Sequence, residues 1–228
     1  MFHPMPKNES IINEFGLSPE DNVITTICRI DKGSSKTAFM LCDIAKSLNE
    51  EIENLRIILV GDGNQYDRLR DKAAAVNRSV GRQLITTTGA RRDISDILSV
   101  TDVFTGISRA ALEAMAMEKP VVLCGDFGYL GIMDEHSRGM AIETNMTCRE
   151  TATADNTKLH TDLVLMFNND NIRVKNSKLN AATVKEFYSV DKMADDAVAM
   201  YEKAFAEKTA PPKYYHAVLS GYYGFDNS

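Results

Sequence analysis

The chain has 228 residues, 44% apolar and 25% charged, proportions of an ordinary globular protein that exclude a collagen-like, coiled-coil or wholly disordered chain. A net charge of −6 argues against a general nucleic-acid or anionic-membrane binder, while leaving room for a local basic cleft. The start, MFHPMPKNES, has no apolar run, so no signal peptide is expected, and no stretch nears the roughly 20 apolar residues of a membrane span.

Residues 23–30 (VITTICRI) read as a strand, and 35–52 as a helix with Phe39, Cys42, Ala45 and Leu48 at three-residue spacing. Residues 55–63 (LRIILVGDG) are a strand ending in a glycine turn, and 65–76 a helix with Leu69, Ala73 and Val76 on one face. A strand at 83–89 precedes a short helix that Asp93 could cap, ending near Leu98. A strand at 102–106, a helix at 108–117 and a strand at 120–125 follow, with 139–144 (GMAIET) a candidate for one more strand. Short Val, Ile and Leu-rich strands between helices predict a doubly wound α/β fold, with a parallel sheet covered on both faces.

The last third differs. Residues 147–158 are polar and read as a loop, and helices are expected at 159–167, 175–187 and 191–207. In the last, Met193, Ala197, Met200, Tyr201 and Phe205 fall along one face. Pro211 and Pro212 end it, and the aromatic tail is either a strap on the domain or a contact to another domain or chain. Cys28, Cys42, Cys124 and Cys148 form no C-x-x-C pair and read as reduced, buried thiols of a cytoplasmic protein. The four histidines show no metal-ligand spacing, so no structural zinc is expected.

In an open parallel sheet, ligands bind beyond the carboxyl ends of strands where the strand order reverses. For the order 3-2-1-4-5 the crevice lies between the first and fourth strands. The loop after the first, CRIDKGSSKTAF, holds Arg29, Lys32 and Lys36, with Gly33, Ser34 and Ser35 leading into a helix. This is either an anion site at a helix start or an ordinary solvated loop. After the fourth strand, Gly106, Ile107 and Ser108 make the turn into a helix whose first turn carries Arg109. A cation there opposes the helix dipole, so Arg109 either meets an anion or packs its stem on the surface. Glu113 either forms an i,i+4 ion pair with Arg109 or, among Ala110, Ala111, Ala114, Met115 and Ala116, needs a buried partner such as hydroxyl groups. In GDFGYLGIM (125–133), three glycines at spacings of three suggest a loop where backbone meets a ligand closely, and Tyr129 either stacks on a ring or covers the core.

GDGNQY (61–66) lacks the third glycine of a dinucleotide fingerprint and follows the second strand. There is no G-x-x-x-x-G-K-[ST] and no G-x-S-x-G, which disfavours dehydrogenases, P-loop nucleotidases and α/β-hydrolases.

The ordered set CRIDKGSSK, RIILVGDG, TTTG and SVTDVFTG-x-x-R-x-x-LEAMAMEKPVVL resembles the C-terminal, donor-binding half of GT-B glycosyltransferases of the family-4-like group (glycosyl transferase group 1), over about residues 20–145. The resemblance implies an interdomain linker segment at 1–20, a Rossmann-like donor-binding domain at 21–208, and the aromatic tail at 209–228. It implies that Arg29 and Lys36, with Lys32 as a further candidate, hold the donor diphosphate, and that Glu113 binds the ribose hydroxyls. Gly106, Ile107 and Ser108 would offer N–H groups to the phosphates or the sugar. Thr105 stands where the family pattern has its first glutamate; Thr105, Gly128 and Tyr129 are candidates for meeting the sugar.

What it implies about activity is transfer of a sugar from a nucleotide-diphosphate sugar to an acceptor hydroxyl, without metal or other cofactor and with retention. The acceptor would be a glycan, lipid or small molecule. The acceptor-side domain does not precede this half, so the chain reads as a fragment of a longer enzyme or as a half pairing with an acceptor subunit, inactive without it. Two alternatives remain: a nucleotide-sugar 2-epimerase using Glu135 and His136, and a non-catalytic nucleotide-binding or partner module.

Overall fold

The computed structural model describes residues 2–206, so the tail at 209–228 lies outside the described residues. The chain divides after Lys185, and the first unit, Met1–Lys185, carries the sheet. Its strands are β1 (Asn22–Ile27), β2 (Leu55–Val60), β3 (Ile85–Thr87), β4 (Val103–Gly106), β5 (Val121–Gly125) and β6 (Gly128–Ile132), in the order β3-β2-β1-β4-β5-β6. The first five are parallel, and β6 runs antiparallel to β5. The doubly wound expectation holds, with the strand order reversing between β1 and β4.

The connecting helices are α1 (Glu9–Phe15), α2 (Lys36–Glu51), α3 (Tyr66–Val80), α4 (Ile94–Ser99), α5 (Ser108–Ala116), α6 (Arg138–Glu143), α7 (Asn156–Asn168) and α8 (Asp170–Phe187). All six residues of β2, LRIILV, are buried, as a central strand covered on both faces requires. Ile57 and Leu59 join a core with Leu41, Ala45 and Leu48 of α2, Leu69 of α3 and Leu163 of α7. Ile58 and Val60 point the other way, into a cluster with Ile11 and Phe15 of α1 and Ile97 of α4. The period of two along one strand thus builds both helical layers.

The segment read as a linker therefore carries a helix packed on the sheet. Asn8 caps α1, accepting from the amides of Ser10 and Ile11, and Gly16 ends it in the left-handed conformation. Arg56, buried in β2, donates to the carbonyls of Phe15 and Gly16 (2.7 Å each) and pairs with Asp21 (3.3 Å). It supplies a cation where the helix dipole is negative.

Three expectations are corrected. Residues 139–144 are not a strand: α6 occupies them, with Ala141 buried and Met140 46% exposed. The additional strand is β6, in the glycine-rich stretch read as a loop, and it reaches β5 through the two-residue turn Asp126-Phe127. Helix α8 starts at Asp170 rather than 175, where the Asn169 side chain accepts the Ile172 amide. It docks by hydrogen bonds: Asn176 accepts from the Val121 amide (2.9 Å) and donates to the Met133 carbonyl, and Asn180 donates to the Lys119 carbonyl (3.1 Å). The second unit is described over 186–206 and contains α9 (Val190–Ala206).

Candidate functional site

A cleft of about 730 Å³ opens over the carboxyl ends of the strands, across the β1/β4 reversal. Its floor is built by two interlocked loops. The Cys28 amide donates to Val60 (3.1 Å) and the Ile30 amide to Asp62 (2.9 Å); in return the Gln65 amide donates to Ile30 (2.8 Å) and the Asn64 amide to the Asp31 carboxylate (2.8 Å). This approach explains the Gly-Asp-Gly turn. A Cβ on Gly61 would lie 1.8 Å from the Cys28 carbonyl oxygen, so no other residue fits.

The structure gathers part of the expected set. Arg29 lines the cleft with an exposed side chain that pairs with Asp31. Gly106, Ile107, Ser108, Arg109 and Glu113 line it as well. Lys32 is exposed and does not line the cleft; its amide donates to Asn64 (3.4 Å). Lys36 does not line it either: it opens α2, and its amide donates to the carboxylate of Asp126 (3.1 Å).

Helix α5 begins at the cleft without a side-chain cap. Ser108 adopts φ +58°, and its amide donates to the Met146 carbonyl (2.7 Å). That amide, expected to face a ligand, is therefore taken. The amides of Arg109 and Ala110 lie in the first turn, where a helix offers no internal acceptor. Arg109 is 90% exposed, and its Nε lies 3.5 Å from Glu113 Oε1. Glu113 thus makes the i,i+4 pair of its first reading, and it also lines the cleft. Burial raises its pKa, and Arg109 partly counters the rise.

The three residues expected to meet the sugar lie outside the cleft lining. Thr105 is fully buried and its hydroxyl has no partner. Gly128 is packed so that a Cβ would lie 2.0 Å from the Cys148 carbonyl oxygen. Tyr129 belongs to the core, its hydroxyl donating to Asp162 (2.5 Å), and burial is the main cause of its raised pKa. Glu135 and His136, the epimerase candidates, line a separate, smaller pocket, where Glu135 pairs with Lys175 (3.3 Å).

Besides apolar lining residues such as Val60, Ala90 and Ile94, the cleft holds Thr26, Arg91, Asp126 and Phe127, none of which was named as a site residue from the sequence. Thr26 presents a buried hydroxyl without a partner. Arg91 lies beside β3, held by Asp93 (2.6 and 2.9 Å) and Glu14, with its guanidinium 5.6 Å from the centre of the Phe15 ring. Asp126 and Phe127 form the β5–β6 turn. The sequence signal for that turn was the glycine pair, Gly125 and Gly128, bracketing two residues. Among the described residues, no group of three or more His, Cys, Asp or Glu side chains is placed to hold a metal ion. No described helix is long and apolar enough to cross a membrane.

Comparison with known proteins gives one consistent picture. The sequence profile described as Glycosyl transferases group 1 matches residues 21–156, more than half of the chain. No curated protein sequence matches. Among solved structures, a glycosyltransferase from Rickettsia africae superimposes with a TM-score of 0.64 at 16% identity, covering 86% of this chain and 51% of that one. The C-terminal domain of a glycosyl transferase group 1 family protein (LpcC) from Francisella tularensis gives 0.62 at 16% identity, covering 83% and 96%. The Anabaena protein HepE in complex with UDP gives 0.63 at 14% identity, covering 85% and 52%. The chain thus spans about half the length of the Rickettsia and Anabaena proteins, and nearly all of the isolated Francisella domain.

Proposed function

Because the chain belongs to the glycosyl transferases group 1 family, with the fold of a GT-B half, we propose that its β1/β4 cleft binds a nucleotide-diphosphate sugar and presents the sugar for transfer to an acceptor hydroxyl. The observation that carries this reading is the convergence of Arg29, Arg109, Glu113 and the open end of α5 on one cleft at the strand-order reversal. Transfer breaks the bond between the anomeric carbon and the diphosphate oxygen, while the acceptor hydroxyl oxygen bonds to that carbon and its proton passes to the departing diphosphate or to solvent. Negative charge collects on the leaving diphosphate. Arg29, Arg109 and the first-turn amides of α5 stabilise it, a role that a divalent metal fills in other enzymes. Glu113 accepts hydrogen bonds from the ribose hydroxyls. Lys36 and Lys32, outside the cleft lining, contribute long-range attraction.

No metal or cofactor is needed beyond the nucleotide sugar. Retention at the anomeric carbon follows from the family-4-like resemblance. The acceptor-binding half is supplied by further sequence or by a second subunit; what supports this is the chain's coverage of about half of its longer relatives. The four free thiols support a cytoplasmic location. Calorimetry with UDP, GDP and ADP and their sugars tests the reading: at least one should bind below millimolar concentration, with affinity unchanged by chelator. Absence of binding by all of them overturns it, and loss of affinity on adding chelator overturns the metal-free part.

A further inference from the structure

The cleft runs from Arg91 and Ile94 beside β3 to Asp126 and Phe127 beyond β5. With the diphosphate held midway by Arg29 and α5, base and sugar take opposite ends. The β3 end offers Val60, Ala90 and Ile94, apolar contacts for a flat base, with Arg91 already engaged by Glu14 and Asp93. The β5 end offers an aromatic ring and a carboxylate on adjacent residues, and a sugar ring presents an apolar C–H face together with hydroxyls. We infer that Phe127 is the surface on which the pyranose ring of the donor stacks, with Asp126 accepting a hydrogen bond from one of its hydroxyls. This deepens the donor-site reading and rests on it.

The backbone on both sides of the turn is closely packed. Gly125 and Gly128 pair across it. A Cβ on Gly125 would lie 2.5 Å from Ile107 Cδ1, and one on Gly128 would strike the Cys148 carbonyl. The Tyr129 amide, just beyond, donates to Thr151 Oγ1 (3.1 Å). Phe127 remains 53% exposed and lines the cleft, while the Arg149 guanidinium sits 5.0 Å from its centroid and covers part of the ring. A large apolar side chain exposed at the tip of a closely packed turn adds little to the core, and the cation lies against its ring. Asp126 is oriented by the Lys36 amide at 3.1 Å, and a carboxylate that accepts one bond retains capacity for more.

The experiment compares the unaltered chain with Phe127→Ala and Phe127→Tyr, titrated with nucleotide diphosphates and with the matching nucleotide-glucose and nucleotide-N-acetylglucosamine. Phe127→Ala should leave diphosphate affinity within about twofold and weaken the nucleotide sugar by about three- to tenfold, the range of an aromatic stacking contact. Phe127→Tyr should restore it. The chain contains no tryptophan, so Phe127→Trp adds a sole indole reporter whose emission should respond to the nucleotide sugar and not to the diphosphate. Equal effects on diphosphate and sugar, or none on either, overturn the inference while leaving the donor-site reading standing. Absence of all nucleotide binding by the unaltered chain overturns both.

Discussion

Glu113 sits where burial and charge pull in opposite directions. Its side chain is 20% exposed, burial raises its pKa, and the Arg109 partner 3.5 Å away counters only part of the rise. A carboxyl group whose folded pKa is raised binds its proton more tightly in the folded state, so its contribution to stability declines as pH rises from the ordinary carboxylate value through the folded one. At neutral pH the ionised group is therefore held at some cost, and Glu113→Gln should keep or slightly raise the melting temperature. The same variant should bind nucleotide diphosphates about ten- to hundredfold more weakly, through loss of charge-assisted bonds to ribose. The loss should shrink sharply for a dideoxy nucleotide. Thermal denaturation and calorimetry on the one variant separate the roles: lower stability with unchanged binding would make Glu113 a surface ion-pair partner and nothing more.

At the level of elements, α1 is where sequence reading fell short for a clear reason. Asn8 and Gly16 are good cap residues, but the seven residues between them form too short a helix to show a period, and most of its stability comes from docking Ile11 and Phe15. The strand β6 was obscured by glycines that serve close approach rather than a loop. In 139–144, Met140 and Ile142 alternate with polar and small residues and fit either period, and α6 resolved the ambiguity in tertiary context. The buried β2, α2 and α5 were legible because their apolar residues repeat over longer spans. Of the site, the two loops at the strand-order reversal were legible, while Arg91 and Phe127 were not, because ion-pair partners 77 residues apart and the tip of a two-residue turn leave no local pattern.

The brace between α1 and the cleft rim carries a pH dependence. Hydrogen bonds from Arg91 are the main cause that lowers the pKa of both Glu14 and Asp93. Lowered carboxylates stabilise above their ordinary pKa, and that stabilisation is lost as pH falls through the carboxylate range. Both groups are partly exposed, so the effect is small, as surface ion pairs are. The protection factors of the α1 amides, with the intrinsic pH dependence of exchange divided out, should fall on acidification, and Arg91→Gln should flatten that dependence; an unchanged slope in the variant would assign it to other groups.

At the scale of the whole molecule, the chain spans about half the length of the Rickettsia and Anabaena proteins, and the proposed function makes its sheet and helices one wall of a two-walled site. The isolated chain should bind nucleotide sugar and transfer none of it, and transfer should appear when an acceptor-side domain is joined or added. A product assay on the chain alone and on the reconstituted pair checks this; transfer by the chain alone would place the acceptor site within it. The interlocked loops under the cleft have a consequence of another kind. Their amides and carbonyls satisfy one another within the chain, so the conformational entropy of fixing them falls to folding and is absent from association. On the proposed reading, the nucleotide meets a floor of settled shape, and discrimination among nucleotides becomes a matter of fit rather than of which ligand can best organise a loose segment.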